Sequence, residues 1–180
     1  MSGNGTTHER ESVQRILEER ARALARPPEQ EDAGESTPML VLAVGVERYC
    51  VDIDLVQEIK PLSGLTPVPD TPPFWRGLVN LRGSLYPVLD LRRFLGLAEA
   101  DSPGGGTVVV VAGEGVSVAL LVDDVPESVR VAPADLLPPP AEGIGGRTEI
   151  VRAMTPDLLC VLDLGPLLRD PSLVVQAEVN

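Results

Sequence analysis

Residues 74–92 read FWRGLVNLRGSLYPVLDLR, and their pattern sets the class of structure to expect. Apolar side chains dominate residues 78–81 and again residues 85–91, whereas Arg82-Gly83-Ser84 between them has the composition of a turn. Gly83 supplies a positive φ angle that other residues adopt only at a cost. The stretch therefore predicts two strands joined by a tight turn, with a short helical segment after them at residues 92–97.

Polar residues and a glycine in this stretch have roles beyond core packing. Gly77 would let a loop backbone pack closely where the chain enters the first strand, and Asn80 lies inside an apolar strand where it can bond neighbouring backbone. Arg82 at the turn can reach back to a carboxylate, for which Glu58 is the best candidate. Because an exposed ion pair is worth only about 0–1 kcal/mol to folding, its value would lie in orienting a binding surface.

Short strands separated by Gly and Pro turns recur on both sides of this stretch. Residues 49–54 alternate apolar and polar side chains, with Cys50 on the polar side, as in a half-buried strand. Further strands are predicted at residues 39–46, 55–59, 107–112, 116–122, 128–131, 149–154 and 158–162. The fold class expected is mainly β, with two small five-stranded barrels side by side whose halves meet near residues 98–107.

The N-terminal residues 1–37 have a different character. Apolar residues recur at helical spacing from Val13 to Ala25, two prolines end the pattern, and residues 29–37 form an acidic linker. We predict an amphipathic helix joined by this linker to a domain at residues 38–175. The helix is interpreted either as a solvated or domain-packed arm or as a docking helix for a partner.

Composition excludes several classes of function. The chain of 180 residues has a formal net charge of −12, which argues against binding to nucleic acid or to anionic lipid. Its one histidine, His8, lies in the polar N-terminal stretch, so a His-based catalytic triad or a His-rich metal site is excluded from the domain. Cys50 and Cys160 lack CxxC spacing and are expected to be buried free thiols, with a disulfide as the alternative.

The sequence also lacks the marks of a membrane or secreted protein and of an enzyme. No apolar run approaches the roughly 20 residues of a membrane span, so a soluble, cytoplasmic protein without direct membrane insertion is expected. Asp52 and Asp54 lie about 7 Å apart by strand rise, but no apolar pocket near them is visible to raise a pKa. Neither a Gly-rich phosphate loop nor a metal-ligand cluster is present. We expect no enzyme activity, cofactor or metal.

Several motifs, in order along the chain, make residues 38–170 resemble the CheW family of coupling proteins from bacterial chemosensory arrays. The motifs are YCVDI at 49–53, VQEI at 56–59, NLRG at 80–83 with Gly77 before it, PVLDLR at 87–92, VDDV at 122–125 and LCVLDL at 159–164. The resemblance implies two SH3-like five-stranded barrels that share a core. It also implies a non-enzymatic adaptor whose partners are the cytoplasmic tip of methyl-accepting chemoreceptors and the regulatory domain of the histidine kinase CheA.

In that family the receptor tip, a helical hairpin, lies in the groove between the two barrels. Matching the motifs residue by residue implies a receptor-binding groove here at Val56, Glu58, Arg82, Val108, Ala119 and Val125. Ala119 stands where the family often has glycine, so its extra methyl group could narrow the groove. Gly77, Asn80 and Gly83 match the structural signature of the family. The resemblance assigns no residues to the kinase contact.

Two other functions are left open by the residues. A small-ligand sensor would hold a metabolite in the cleft between the barrels, although the chain has few aromatic residues to line it. An enzyme would use Asp52 and Asp54 and would lose its activity when Asp52 is changed to Asn. The adaptor is the function we expect.

Overall fold

The computed structural model describes residues 36–97, 105–141, 143–144, 147 and 149–169. The helix and most of the linker predicted at residues 1–37 lie outside the described residues. Within the described part the chain is mainly β, as the sequence predicts. Its strands are β1 (Thr37–Val44), β2 (Glu47–Asp52), β3 (Val56–Pro61), β4 (Trp75–Leu81), β5 (Ser84–Asp90), β6 (Thr107–Gly113), β7 (Val116–Val122), β8 (Ser128–Val131), β9 (Val151–Met154) and β10 (Cys160–Leu162).

Helical structure among the described residues is short. Helix α1 (Leu91–Phe94) follows β5, where the sequence predicts a short helical segment, and helix α2 (Leu164–Leu168) follows β10. Asp90 caps α1, because its carboxylate accepts a hydrogen bond from the backbone N–H of Arg93 at 3.1 Å. Two 3-10 turns, Ile53–Leu55 and Pro133–Asp135, complete the set.

The strands form two five-stranded sheets. The first sheet has the order β8–β1–β2–β10–β9 and the second has the order β3–β6–β7–β5–β4. Both sheets are mixed, because β2 pairs parallel to β10 and β5 pairs parallel to β7. The two five-stranded units predicted from the sequence are therefore present.

The sheets are not successive halves of the chain, and here the structure differs from the sequence prediction. Residues 98–107, where the halves were expected to meet, follow β5 and lead into β6, and both of these strands belong to the second sheet. The chain instead changes sheet before β3 and again before β8. Ser128–Val131 pairs with β1 of the first sheet rather than continuing the hairpin formed by β6 and β7. The second sheet, β3 to β7, is therefore inserted in the chain between β2 and β8 of the first sheet.

The core has a large shared part between the sheets and a smaller part belonging to each sheet. Leu42 of the first sheet and Leu120 of the second belong to the shared cluster. Val41, Cys50 and their neighbours form a separate cluster on the other face of the first sheet. Each sheet is therefore buried on both faces, and this explains why β6 reads as a continuous valine run rather than an alternating one.

Cys50 is a buried free thiol, as the sequence predicts. It is fully buried, as are Tyr49 and Val51 on either side of it, so the alternation of residues 49–54 does not mark a half-buried strand at this position. Cys160 pairs with Tyr49 in the neighbouring strand, which puts the two thiols on opposite faces of the sheet. Both cysteines are free, and Cys160 is only half-buried. Burial raises the pKa of the Cys50 thiol to about 12.

Candidate functional site

The hairpin of β4 and β5 places Arg82 at an exposed corner of the second sheet. Leu81 pairs with Ser84, so the turn has two residues, and both Arg82 (φ 53°) and Gly83 (φ 89°) have positive φ angles. Positive φ at both central positions is the geometry of a type I′ turn, whose twist matches that of the strands. The Asn80 side-chain oxygen accepts a hydrogen bond from the Gly83 N–H at 2.9 Å and so holds the turn.

Gly77 sits where a loop crosses the start of this hairpin. Its φ is +134°, and a Cβ atom there would lie 2.1 Å from the carbonyl oxygen of Thr66. Thr66 and Leu78 exchange two backbone hydrogen bonds of 2.8 Å each. Only glycine allows this approach, which fixes the loop after β3 against β4.

The ion pair expected from the sequence is present. Arg82 Nε lies 3.2 Å from Glu58 Oε1, and Lys60 Nζ lies 3.7 Å from the same oxygen. Glu58 is on β3 and Arg82 follows directly after β4, and these two strands are the edges of the second sheet. The contact therefore joins opposite edges of one sheet, which requires the sheet to curl as a small barrel does.

The environment of Glu58 differs from that of Arg82. The Arg82 side chain is 78% exposed and the Glu58 side chain is 19% exposed. Glu58 Oε1 is itself buried and accepts no hydrogen bond among the described residues, although the two cations lie within ion-pair distance of it. The exposed part of the pair is therefore the Arg82 guanidinium, which an approaching molecule can reach.

A cavity of about 280 Å³ opens beside the ion pair. Its lining combines charged, polar and apolar side chains: Glu58, Lys60, Pro61, Ser63, Asn80, Leu81 and Arg82. Sequence reasoning did not single out Lys60 or Ser63. The signal that could have found Lys60 is its position two residues after Glu58, because alternate residues of a strand share a face.

The apolar residues implied for the groove fall into two groups. Val56 and Val125 are half-buried and pack against the edge of the shared core, so part of each side chain is available at the surface. Val108 and Ala119 are fully buried, at 0% exposure, in the second sheet's own cluster with Val79. Val108 and Ala119 therefore support the site from beneath and do not line its surface, unlike the arrangement the resemblance implies.

The features examined for other chemistry have structural roles. The Asp52 carboxylate accepts a hydrogen bond from the backbone N–H of Asp54 at 2.9 Å and thereby caps a 3-10 turn. Among the described residues, no three His, Cys, Asp or Glu side chains lie close enough together to hold a metal ion. A second cavity, of about 370 Å³, is lined by residues of the first sheet and its loops, including Arg48 and Asp135.

In the part of the chain that the structure describes, no helix has the length and apolar character needed to cross a membrane.

Comparison with known proteins gives one consistent family. The family model for the CheW-like domain matches residues 38–172. The chain is 30% identical to the chemotaxis protein CheW of Klebsiella aerogenes, over 82% of this chain and 92% of that protein. It is 32% identical to the chemotaxis protein CheW of Rhizobium meliloti, over 57% of this chain and 66% of that protein.

A solved structure agrees with these relatives. The crystal structure of the scaffolding protein TtCheW from Thermoanaerobacter tengcongensis superimposes with a TM-score of 0.67 at 27% identity, covering 76% of this chain and 95% of that one. The fold and the family match lead to the same assignment. The chain belongs to the CheW-like domain family of chemotaxis scaffold proteins.

Proposed function

We propose that this chain is a non-enzymatic adaptor that couples the cytoplasmic tip of methyl-accepting chemoreceptors to the histidine kinase CheA. The observation that carries the proposal is the Glu58–Arg82 pair, with its exposed guanidinium and its buried, unsatisfied carboxylate oxygen. Because an exposed ion pair contributes only about 0–1 kcal/mol to folding, the value of this pair lies in an encounter with another molecule. The site works in the cytoplasm, at receptor arrays that the adaptor reaches through its partners.

The receptor hairpin is the occupant that the surface fits best. Val56 and Val125 offer partly exposed apolar area, and Arg82 offers a guanidinium with several donors at the rim. An amphipathic helix docks in this way, with apolar anchors in a groove and polar contacts that fix its register. The donors of Arg82 select a partner with acceptor groups at matching positions along the helix.

Val108 and Ala119 act on this surface indirectly. Lys60 pairs with Val108, and Glu58 pairs with Val110, which in turn pairs with Ala119. A larger side chain at position 119 would overpack the cluster beneath β3, which costs about 1–3 kcal/mol and moves the strand that bears Glu58. The size of Ala119 therefore sets the shape of the groove through β3.

Coupling follows from the shared core. A receptor on the second sheet and a kinase elsewhere on the same body would keep a constant mutual geometry, because the interior between the sheets is densely packed. Many such contacts of moderate affinity would act together in an array. The site requires no cofactor or metal for this role.

A pull-down with a purified receptor fragment tests the receptor site. Arg82→Asp puts a second negative charge beside Glu58 and should abolish binding while the circular dichroism spectrum remains that of the folded protein. Arg169→Asp is the control, since Arg169 is also an exposed arginine and forms an ion pair with Glu114 at 3.4 Å. Binding by Arg82→Asp that equals binding by Arg169→Asp would remove Arg82 from the site.

A further inference from the structure

Three parts of the chain meet at the carboxylate of Asp123. This residue follows β7 of the second sheet, where the chain begins to cross toward the first sheet. Its Oδ2 atom accepts a hydrogen bond from the backbone N–H of Gly45 at 2.5 Å and another from Arg92 Nη2 at 2.5 Å. Gly45 lies in the turn of the first sheet between β1 and β2, whereas Arg92 lies in α1 after the second sheet's β5. One side chain thus joins both sheets to the crossover.

The backbone around Asp123 is fixed as well. The N–H of Asp123 donates to the carbonyl of Ala43 at 3.0 Å, and the N–H of Ala43 donates to the carbonyl of Asp124 at 2.9 Å. The carboxylate of Asp124 then accepts from the N–H of Val125 at 2.8 Å. Val125 is therefore two residues beyond the junction and is connected to it by hydrogen bonds.

The Arg92 side chain is 14% exposed and the Asp123 side chain is 38% exposed, whereas Arg48 and Glu127 are each about half exposed in their own ion pair. A shielded, charge-assisted hydrogen bond holds its geometry better than an exposed one. A Cβ atom on Gly45 would lie 3.0 Å from Arg92 Nη1, so the absence of a side chain at this position leaves room for the guanidinium.

We propose that Asp123 is a positioning residue of the receptor groove: by joining Gly45 to Arg92, its carboxylate fixes the path of the crossover and so the place of Val125. This inference rests on the proposed function, because it concerns the same groove. Asp123 touches no receptor. It acts through Val125, which presents apolar surface to the docked helix.

Positioning and mere stabilisation of the fold predict different results in a double-mutant cycle. If Asp123 positions Val125, the two residues act as a unit, and loss of the Val125 methyl groups matters only while the carboxylate is in place. If Asp123 only stabilises the protein, its effect on receptor affinity is independent of the side chain at position 125.

The experiment measures the affinity of the full chain for a purified receptor fragment by calorimetry. The variants are Val125→Ala, Asp123→Asn and the double variant. We expect each single change to weaken binding about tenfold, and the double variant to bind no more than about twofold more weakly than Asp123→Asn. Arg92→Gln should reproduce the effect of Asp123→Asn, and Arg92→Lys should restore part of the affinity because it keeps the charge.

Glu127→Gln is the matched control, since it removes a carboxylate two residues after Val125. The ion-pair partner of Glu127 is Arg48 in β2, and Glu127 directly precedes β8, so this pair stays within the first sheet. It should leave the affinity unchanged. Strict additivity in the cycle, or no effect of Val125→Ala in the native chain, overturns the positioning role. Failure of both Asp123→Asn and Arg92→Gln to fold also overturns it, because the contact would then serve the fold itself. No binding by the native chain would instead refute the proposed function on which the inference depends.

Discussion

Replacement of Gly77 by alanine is the sharpest test of how the second sheet is built. The new Cβ atom would lie 2.1 Å from Thr66 O, 2.7 Å from Thr66 C and 2.9 Å from Pro67 Cα. All three are backbone atoms, so the loop after β3 must retreat, and the two hydrogen bonds between Thr66 and Leu78 break. Two bonds at about 1 kcal/mol each, together with about 1–2 kcal/mol for a side chain at positive φ, give a loss of roughly 3–4 kcal/mol in the free energy of unfolding.

Gly64→Ala in the same loop separates the two causes. Gly64 also has a positive φ, +66°, but a Cβ atom there would have no other heavy atom within 4 Å. Its cost should be about 1 kcal/mol, from backbone conformation alone. Urea unfolding measures both variants, and amide hydrogen exchange at Thr66 and Leu78 reports on the broken contact. Equal stabilities, with both amides still protected in Gly77→Ala, would refute the reasoning.

Two further predictions concern the core and the connection between the sheets. Burial raises the pKa of Cys50 to about 12 from 9.0. Between pH 9 and 12 the unfolded chain therefore releases a proton from this thiol that the folded chain retains. The free energy of unfolding should fall by about 1 kcal/mol for each unit of rising pH in this range because of this thiol. Urea titrations of Cys50→Ala should show a shallower slope, and an unchanged slope would contradict the assignment. The Arg147 guanidinium carbon lies 3.8 Å from the centre of the Phe94 ring, and Arg147 Nε donates a hydrogen bond to the Phe94 carbonyl. Arg147→Ala should therefore lower the free energy of unfolding by about 1–2 kcal/mol, measured by thermal or urea unfolding, and Arg147→Lys should lower it less. Equal costs for the two variants would argue against the ring contact.

Strand positions could be predicted from the sequence because they depend on local patterns. The strands Val116–Val122 and Ser128–Val131 have the bounds that the apolar runs and turn residues indicate. The Glu58–Arg82 ion pair also follows from the placement of two charges at strand and turn positions. Both kinds of inference use only neighbouring residues or one obvious charge partner.

Tertiary choices could not be read from those patterns. Ser128–Val131 follows the β6–β7 hairpin in the chain but pairs with the first sheet, and no local signal distinguishes the two possibilities. Val108 and Ala119 belong to apolar runs that are compatible with either a groove wall or a protein interior. In the structure both side chains are in the interior, because the second face of this sheet is also buried. The carboxylate of Asp123 contacts Gly45, which is 78 positions away in the chain, and Arg92, which is 31 positions away. These contacts exist only once both sheets are in place.

The central claim is that this chain transmits a signal by holding a receptor and a kinase in a fixed geometry. Its most direct test is CheA autophosphorylation in a reconstituted mixture of kinase and membrane-embedded receptors, with the native chain, with Arg82→Asp or with no chain added. We predict that attractant changes kinase activity only when the native chain is present, and that Arg82→Asp behaves as if nothing had been added. The same response to attractant in all three mixtures would contradict the account.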